Sequence, residues 1–93
     1  MSMKQLPDHV CAYKRTPEFS ESTIPKGLTK AHNTKADTWA MINVLEGELI
    51  YRILEPTLQE YVLDSSSGGV IEPTVKHEVE AQHPVRFFVE FYR

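Results

Sequence analysis

The residues of this sequence best suited to chemistry are two of its histidines and the acids near them. Between Val75 and Ala81, strict alternation puts Val75, His77, Val79 and Ala81 on one face of a strand and Lys76, Glu78 and Glu80 on the other. His77 is therefore expected on the inner side, among apolar neighbours. A buried imidazole needs a partner for its polar nitrogens, so it is either a hydrogen-bonded core residue or a ligand. His32 is the second candidate, at the end of a Leu28-to-His32 segment that reads as a strand and in phase with Leu28. Two imidazoles from different strands can meet on one divalent metal (zinc, nickel, iron or similar) at about 2.0–2.2 Å per bond.

Such a centre needs a third protein ligand, and the nearby acids are Asp37, Glu72, Glu78 and Glu80. Glu72 precedes the Pro73 break and can turn inward. Alternation turns Glu78 and Glu80 away from His77, although Glu80 remains a candidate acid or base alongside Glu72. Each of these acids taken singly reads first as a solvated surface charge. His9 and His83 fall at a strand start and in a turn before proline, where exposure is expected. No Gly-x-Gly-x-x-Gly, phosphate-binding loop, Gly-x-Ser-x-Gly elbow or His-Glu-x-x-His occurs, which argues against nucleotide-dependent, serine-hydrolase and zinc-peptidase chemistry. The Ser65-Ser66-Ser67 run reads as a loop.

The elements that must position these residues are short strands, because prolines, glycines and serines recur at intervals too short for ordinary helices of about 11 residues. Strands are expected over His9 to Lys14, Leu28 to His32, Trp39 to Leu45, Ile50 to Leu54, Tyr61 to Leu63, Val75 to Ala81 and Val85 to Tyr92, with Thr16 to Pro25 a loop. Val44 to Tyr51 has the form of a hairpin with Gly47 at a positive φ angle, and the last two strands are expected to pair through Gln82-His83-Pro84. In the final strand Phe87, Val89 and Phe91 share one side and Phe88, Glu90 and Tyr92 the other. About eight strands with turns between them suit an antiparallel barrel or sandwich, of which the jelly roll is one form.

Length and composition agree with one small domain over residues 1–93. Hydrophobic residues make up 41% of the 93 and charged residues 25%, an ordinary globular balance. The net charge is −3 and the basic residues are scattered, so no nucleic-acid partner is expected. No apolar run approaches the roughly 20 residues that span a bilayer, and no secretory signal opens the chain, so neither a membrane partner nor export is expected. A cytoplasmic location is the simplest reading. The single cysteine, Cys11, reads as a small buried hydrophobe.

Two stretches resemble a known family. Lys30-Ala31-His32-Asn33-Thr34-Lys35-Ala36-Asp37-Thr38-Trp39, followed by Val44-Leu45-Glu46-Gly47-Glu48-Leu49, is similar to a segment of the amino-terminal domains of TehB-type tellurite-resistance proteins. Glu72-Pro73, His77-Glu78-Val79-Glu80-Ala81 and Phe91-Tyr92 form the second match, and together they extend from about Tyr13 to Tyr92. The resemblance implies an all-β, double-stranded β-helix of the cupin-like jelly-roll type. It also sets His32 and His77 at positions like the metal-binding histidines of the two cupin motifs. Thr34 stands where the first motif has its second histidine and Ala40 where its glutamate would lie, while Pro73 to His77 lacks the second motif's glycine and spacing. A dioxygenase or isomerase site is therefore not implied. Methyl transfer in the family belongs to a following domain that binds S-adenosylmethionine, so no methyltransferase activity is expected of these residues.

The leading expectation is a domain that binds a divalent metal and a small, anionic molecule in a cavity lined by Trp39, Tyr51, Phe87 and the two histidines, with a link to tellurite or oxyanion stress implied by the resemblance. One alternative is an interaction module whose outer face, with Phe88 and Tyr92, makes a homodimer. The other is a metal-dependent enzyme acting on a small oxygenated substrate through Glu72 or Glu80.

Overall fold

A computed structural model of the chain describes residues 5–30 and 34–93. His32 lies outside the described residues. Eight strands are present among them, in two antiparallel sheets. The first sheet contains β1 (Ala12–Arg15), β2 (Phe19–Ser20), β3 (Trp39–Gly47), β6 (Gly69–Ile71) and β8 (Val85–Tyr92), in the order β1-β8-β3-β6 with β2 also on β8. The second contains β4 (Leu49–Ile53), β5 (Gln59–Leu63) and β7 (His77–Glu80), in the order β5-β4-β7. The expected all-β, two-sheet architecture is the one observed.

Period-two patterning decides which side chains lie between the sheets. On β3, Ala40, Ile42 and Val44 are buried, and they stand opposite Phe91, Val89 and Phe87 of β8. On β4, Leu49, Tyr51 and Ile53 are buried; Tyr51 faces Val79 and Ile53 faces His77 across the ladder to β7. These two inner faces interdigitate into one core, as in other two-sheet domains. The β3–β8 register shifts between Val44 and Glu46, so Leu45 sits in a bulge and is 39% exposed.

Two connections differ from expectation. Val44 to Tyr51 is not a hairpin: β3 and β4 belong to different sheets, and the chain crosses between them at Gly47 and Glu48. Gly47 does have positive φ, at 79°, but a side chain there would also overlap the carbonyl oxygen of Pro84. The positive φ thus serves a close passage of two crossings rather than a two-stranded turn. The second crossing is Ala81 to Pro84, which takes the chain from β7 back to β8, so these strands do not pair with each other.

Smaller corrections concern the first third of the chain. The first strand begins at Ala12 and is exposed along its length, because it is the edge of its sheet. Cys11 is exposed as well, just outside β1, where its N–H and C=O pair with Arg93 instead of being packed inside. Leu28 ends a 3-10 turn, Lys26–Leu28, and no strand begins there; Pro25 sets up that turn with φ of −57°. The segment expected as a loop contains the two-residue strand β2, anchored by an edge-on contact of Phe19 with Phe87 at 5.6 Å between ring centroids.

Candidate ligand pocket

The inner faces do not close on each other everywhere. A pocket of about 260 Å³ remains between them, lined on the strands by Ile42, Ile71, His77, Val79, Phe87, Val89 and Phe91. The amino-terminal segment supplies the rest of the wall through Thr16, Phe19, Pro25, Gly27 and Leu28, and Thr34 completes it. This amino-terminal contribution was missed by sequence reasoning. The available signal was the recurrence of Phe19, Ile24 and Leu28 inside an otherwise polar stretch, all of which pack against the core.

His77 is 1% exposed. Its Nδ1 lies 3.1 Å from the main-chain oxygen of Val75, which can only accept, so Nδ1 carries the proton. The ring of Tyr51 meets the imidazole edge-on at 6.1 Å between centroids. Tyr51 itself lies in the core behind the pocket and does not line it; its hydroxyl donates to the Val70 carbonyl at 2.8 Å. Burial, and after it the negative charge of Glu72, push the Tyr51 hydroxyl far above its ordinary pKa, so it stays a neutral donor.

The other expected residues are distributed unevenly. Phe87 is fully buried and lines the pocket. Trp39 does not: Ala40 and Ile42 are the buried positions of β3, and alternation turns Trp39 to the outer face. Glu72 is half-buried, and its main-chain oxygen accepts from the Thr34 hydroxyl at 3.3 Å. Glu80 is on the far side of the second sheet, where it accepts from Arg52 at 2.6 Å while Glu78 and Glu60 take the other guanidinium nitrogens at 2.9 and 2.8 Å. That ion cluster explains Glu80 without chemistry at the pocket. On the outer face of the first sheet, Arg15 covers Phe88 at 4.3 Å from the ring centroid and Tyr92 donates to Glu90 at 3.0 Å.

Among the described residues, no three His, Cys, Asp or Glu side chains come together in a way that would hold a metal. Among the described residues of the pocket wall, only His77 offers a good metal ligand, since threonine hydroxyls are weak ones. The described donor set does not by itself fit a metal ion, and a centre would need His32.

These features define a class, a small all-β domain of two antiparallel sheets with an apolar pocket between them and one buried imidazole on its wall. The chain belongs to the TehB-like domain family, whose model matches residues 14–89. It is 31% identical over 78 residues to a Haemophilus influenzae protein (strain KW20 Rd) described as a probable S-adenosyl-L-methionine-dependent methyltransferase TehB, and 30% identical over 78 residues to the same protein of strain 10810. The match covers 80% of this chain and 27% of each relative, so the chain spans about a quarter of their length. The crystal structure of TehB from Haemophilus influenzae superposes with a TM-score of 0.84 at 28% identity, covering 91% of this chain and 32% of that one. A crystal structure of an Escherichia coli K12 protein matches at TM-score 0.87, covering 98% and 97% of the two chains; at 21% identity it shows the shared fold. Among the described residues, no helix is long and apolar enough to cross a membrane.

Proposed function

We propose that this TehB-like domain binds a small molecule between its two sheets. The observation that carries this reading is the pocket itself: about 260 Å³ between the two sheets, open to the surface, with the buried His77 on its wall. Apolar side chains that line such a cleft gain when a ligand replaces the water against them. Its wall combines apolar side chains with one polar anchor, the usual make-up of a small-molecule site. The test is a thermal-shift screen of small molecules on wild type and on Gly27→Leu. Gly27 is an exposed residue of the pocket wall, and a Cβ there meets no neighbour within 4 Å, so leucine adds bulk at the pocket rim without crowding the core. Ligands should raise the wild-type Tm and leave the variant unmoved. A library that shifts both proteins alike, or neither, removes the reading.

A second reading adds a divalent metal held by His32 and His77. Its support is that Thr34, two residues beyond His32 in the chain, lies on the same wall as His77. Arg52 already engages Glu80, so Glu72 is the acid that remains for this reading.

A further inference from the structure

The sequence resemblance implies a link to an oxyanion, yet the chemistry of the pocket wall points elsewhere. An oxyanion needs cations or hydrogen-bond donors aimed at it, since a charge taken out of water without them is strongly disfavoured. The described wall contains no lysine or arginine. Its hydroxyl protons are already directed at the main chain: Thr16 donates to the Pro17 oxygen at 2.9 Å, and Thr34 to the Thr38 oxygen at 2.9 Å. The Nδ1 proton of His77 is directed at Val75 O in the same way. The guanidinium of Arg52 is on the outer face of the second sheet and is shared by three carboxylates.

From this geometry we infer that the pocket takes a neutral, mostly apolar molecule of one or two rings and excludes oxyanions. The inference rests on the small-molecule reading above and adds the ligand's chemical class. Size agrees with it, because 260 Å³ lies just below the roughly 300–1,000 Å³ of small-molecule pockets, which suits a compact ring system. The phenylalanines on the wall, Phe19, Phe87 and Phe91, suit an aromatic guest through edge and offset contacts.

Amide NMR titration of the full chain tests this with three probes: indole as the neutral ring, and sodium tellurite and sodium selenite as the oxyanions. Indole should produce saturable shifts at Ile42, Ile71, Val79 and Val89, and neither oxyanion should move them. Leu28→Glu, which puts a carboxylate on the wall from a peripheral turn, should weaken indole binding at least tenfold, while Leu28→Met should stay within twofold. Saturable oxyanion shifts at those amides, with or without indole binding, would overturn the apolar assignment and leave the small-molecule reading standing. Equal indole affinity in Leu28→Glu and wild type would place indole elsewhere and overturn the assignment as well. If no probe moves the pocket amides, the assignment fails, and the screen on wild type and Gly27→Leu decides separately whether the small-molecule reading survives.

Discussion

The hydroxyl of Tyr51, on β4, donates to the carbonyl of Val70, on β6, at 2.8 Å, and so joins the two sheets through the middle of the core. Tyr51 is 1% exposed, and its ring also supports His77 at the back of the pocket. One side chain therefore sets both the separation of the sheets and the position of the imidazole. Removing the oxygen while keeping the ring isolates the first role. Tyr51→Phe should cost about 1–2 kcal/mol, the range for a lost buried hydrogen bond, read as a lower urea midpoint with unchanged slope.

The same hydroxyl gives an alkaline signature. Its folded-state pKa is raised far above the ordinary 10.0, chiefly by burial, whereas the unfolded chain releases the proton near 10.0. Its contribution is therefore fully present below about pH 10 and is lost as pH rises from there toward the raised folded value. Wild type should lose stability faster than Tyr51→Phe between pH 10 and 11. Parallel alkaline limbs in urea titrations would show that the phenol is not protected.

Gly47 offers a purely steric test. Its φ of 79° disfavours any side chain, and a Cβ would overlap the Pro84 carbonyl oxygen. Gly47→Ala should cost about 2 kcal/mol or more. Gly27→Ala, where a Cβ meets open space, should be near neutral in the same unfolding experiment.

Arg52 gives the acid counterpart. Its hydrogen bond holds the Glu80 carboxyl below the ordinary 4.5, with Gln82 adding to the effect. A depressed folded pKa means stability that is present above about 4.5 and lost as pH falls through the lower folded value. In Arg52→Gln the loss of stability below pH 4.5 should be shallower than in wild type. Because the cluster is partly exposed, the difference should shrink in 1 M salt.

Metal content separates the two versions of the binding site. With His32 and His77 as ligands, purified wild type carries near-stoichiometric divalent metal by elemental analysis, and the His32→Ala, His77→Ala double variant carries none. Metal-free wild type that also takes up none on addition would leave His77 as the pocket's polar anchor alone.

Strand faces were legible in the sequence wherever alternation ran unbroken. His77 with Val79, and Phe87 with Val89 and Phe91, fall on the inner side as their spacing requires. The large apolar side chain of Trp39 suggests a place in the cavity, but alternation along β3 runs unbroken from Trp39 to Leu45 and puts both on the outer face. Sheet membership was not legible at all. Period-two patterning states which side of a strand is buried, but β3 pairs with β6 and β8 through contacts distant in the chain, and a turn residue such as Gly47 serves a hairpin and a crossing equally well. The amino-terminal wall of the pocket escaped for a related reason: Phe19 and Leu28 act singly from irregular backbone, where no period exists to reveal them.

The position of β8 carries a consequence for how the domain is made. Of the eight strands this one is synthesised last, yet it is the inner strand that receives β3 on one side and β1 with β2 on the other. The strands β1 and β2, which flank the segment that finishes the pocket, have no seat until β8 is out. Assembly of the larger sheet must therefore follow translation of the whole domain, and the long sequence separation of these pairings favours slow folding. Until then one edge of β3 stays unpaired, which makes nascent-chain protection most important late in synthesis of the domain.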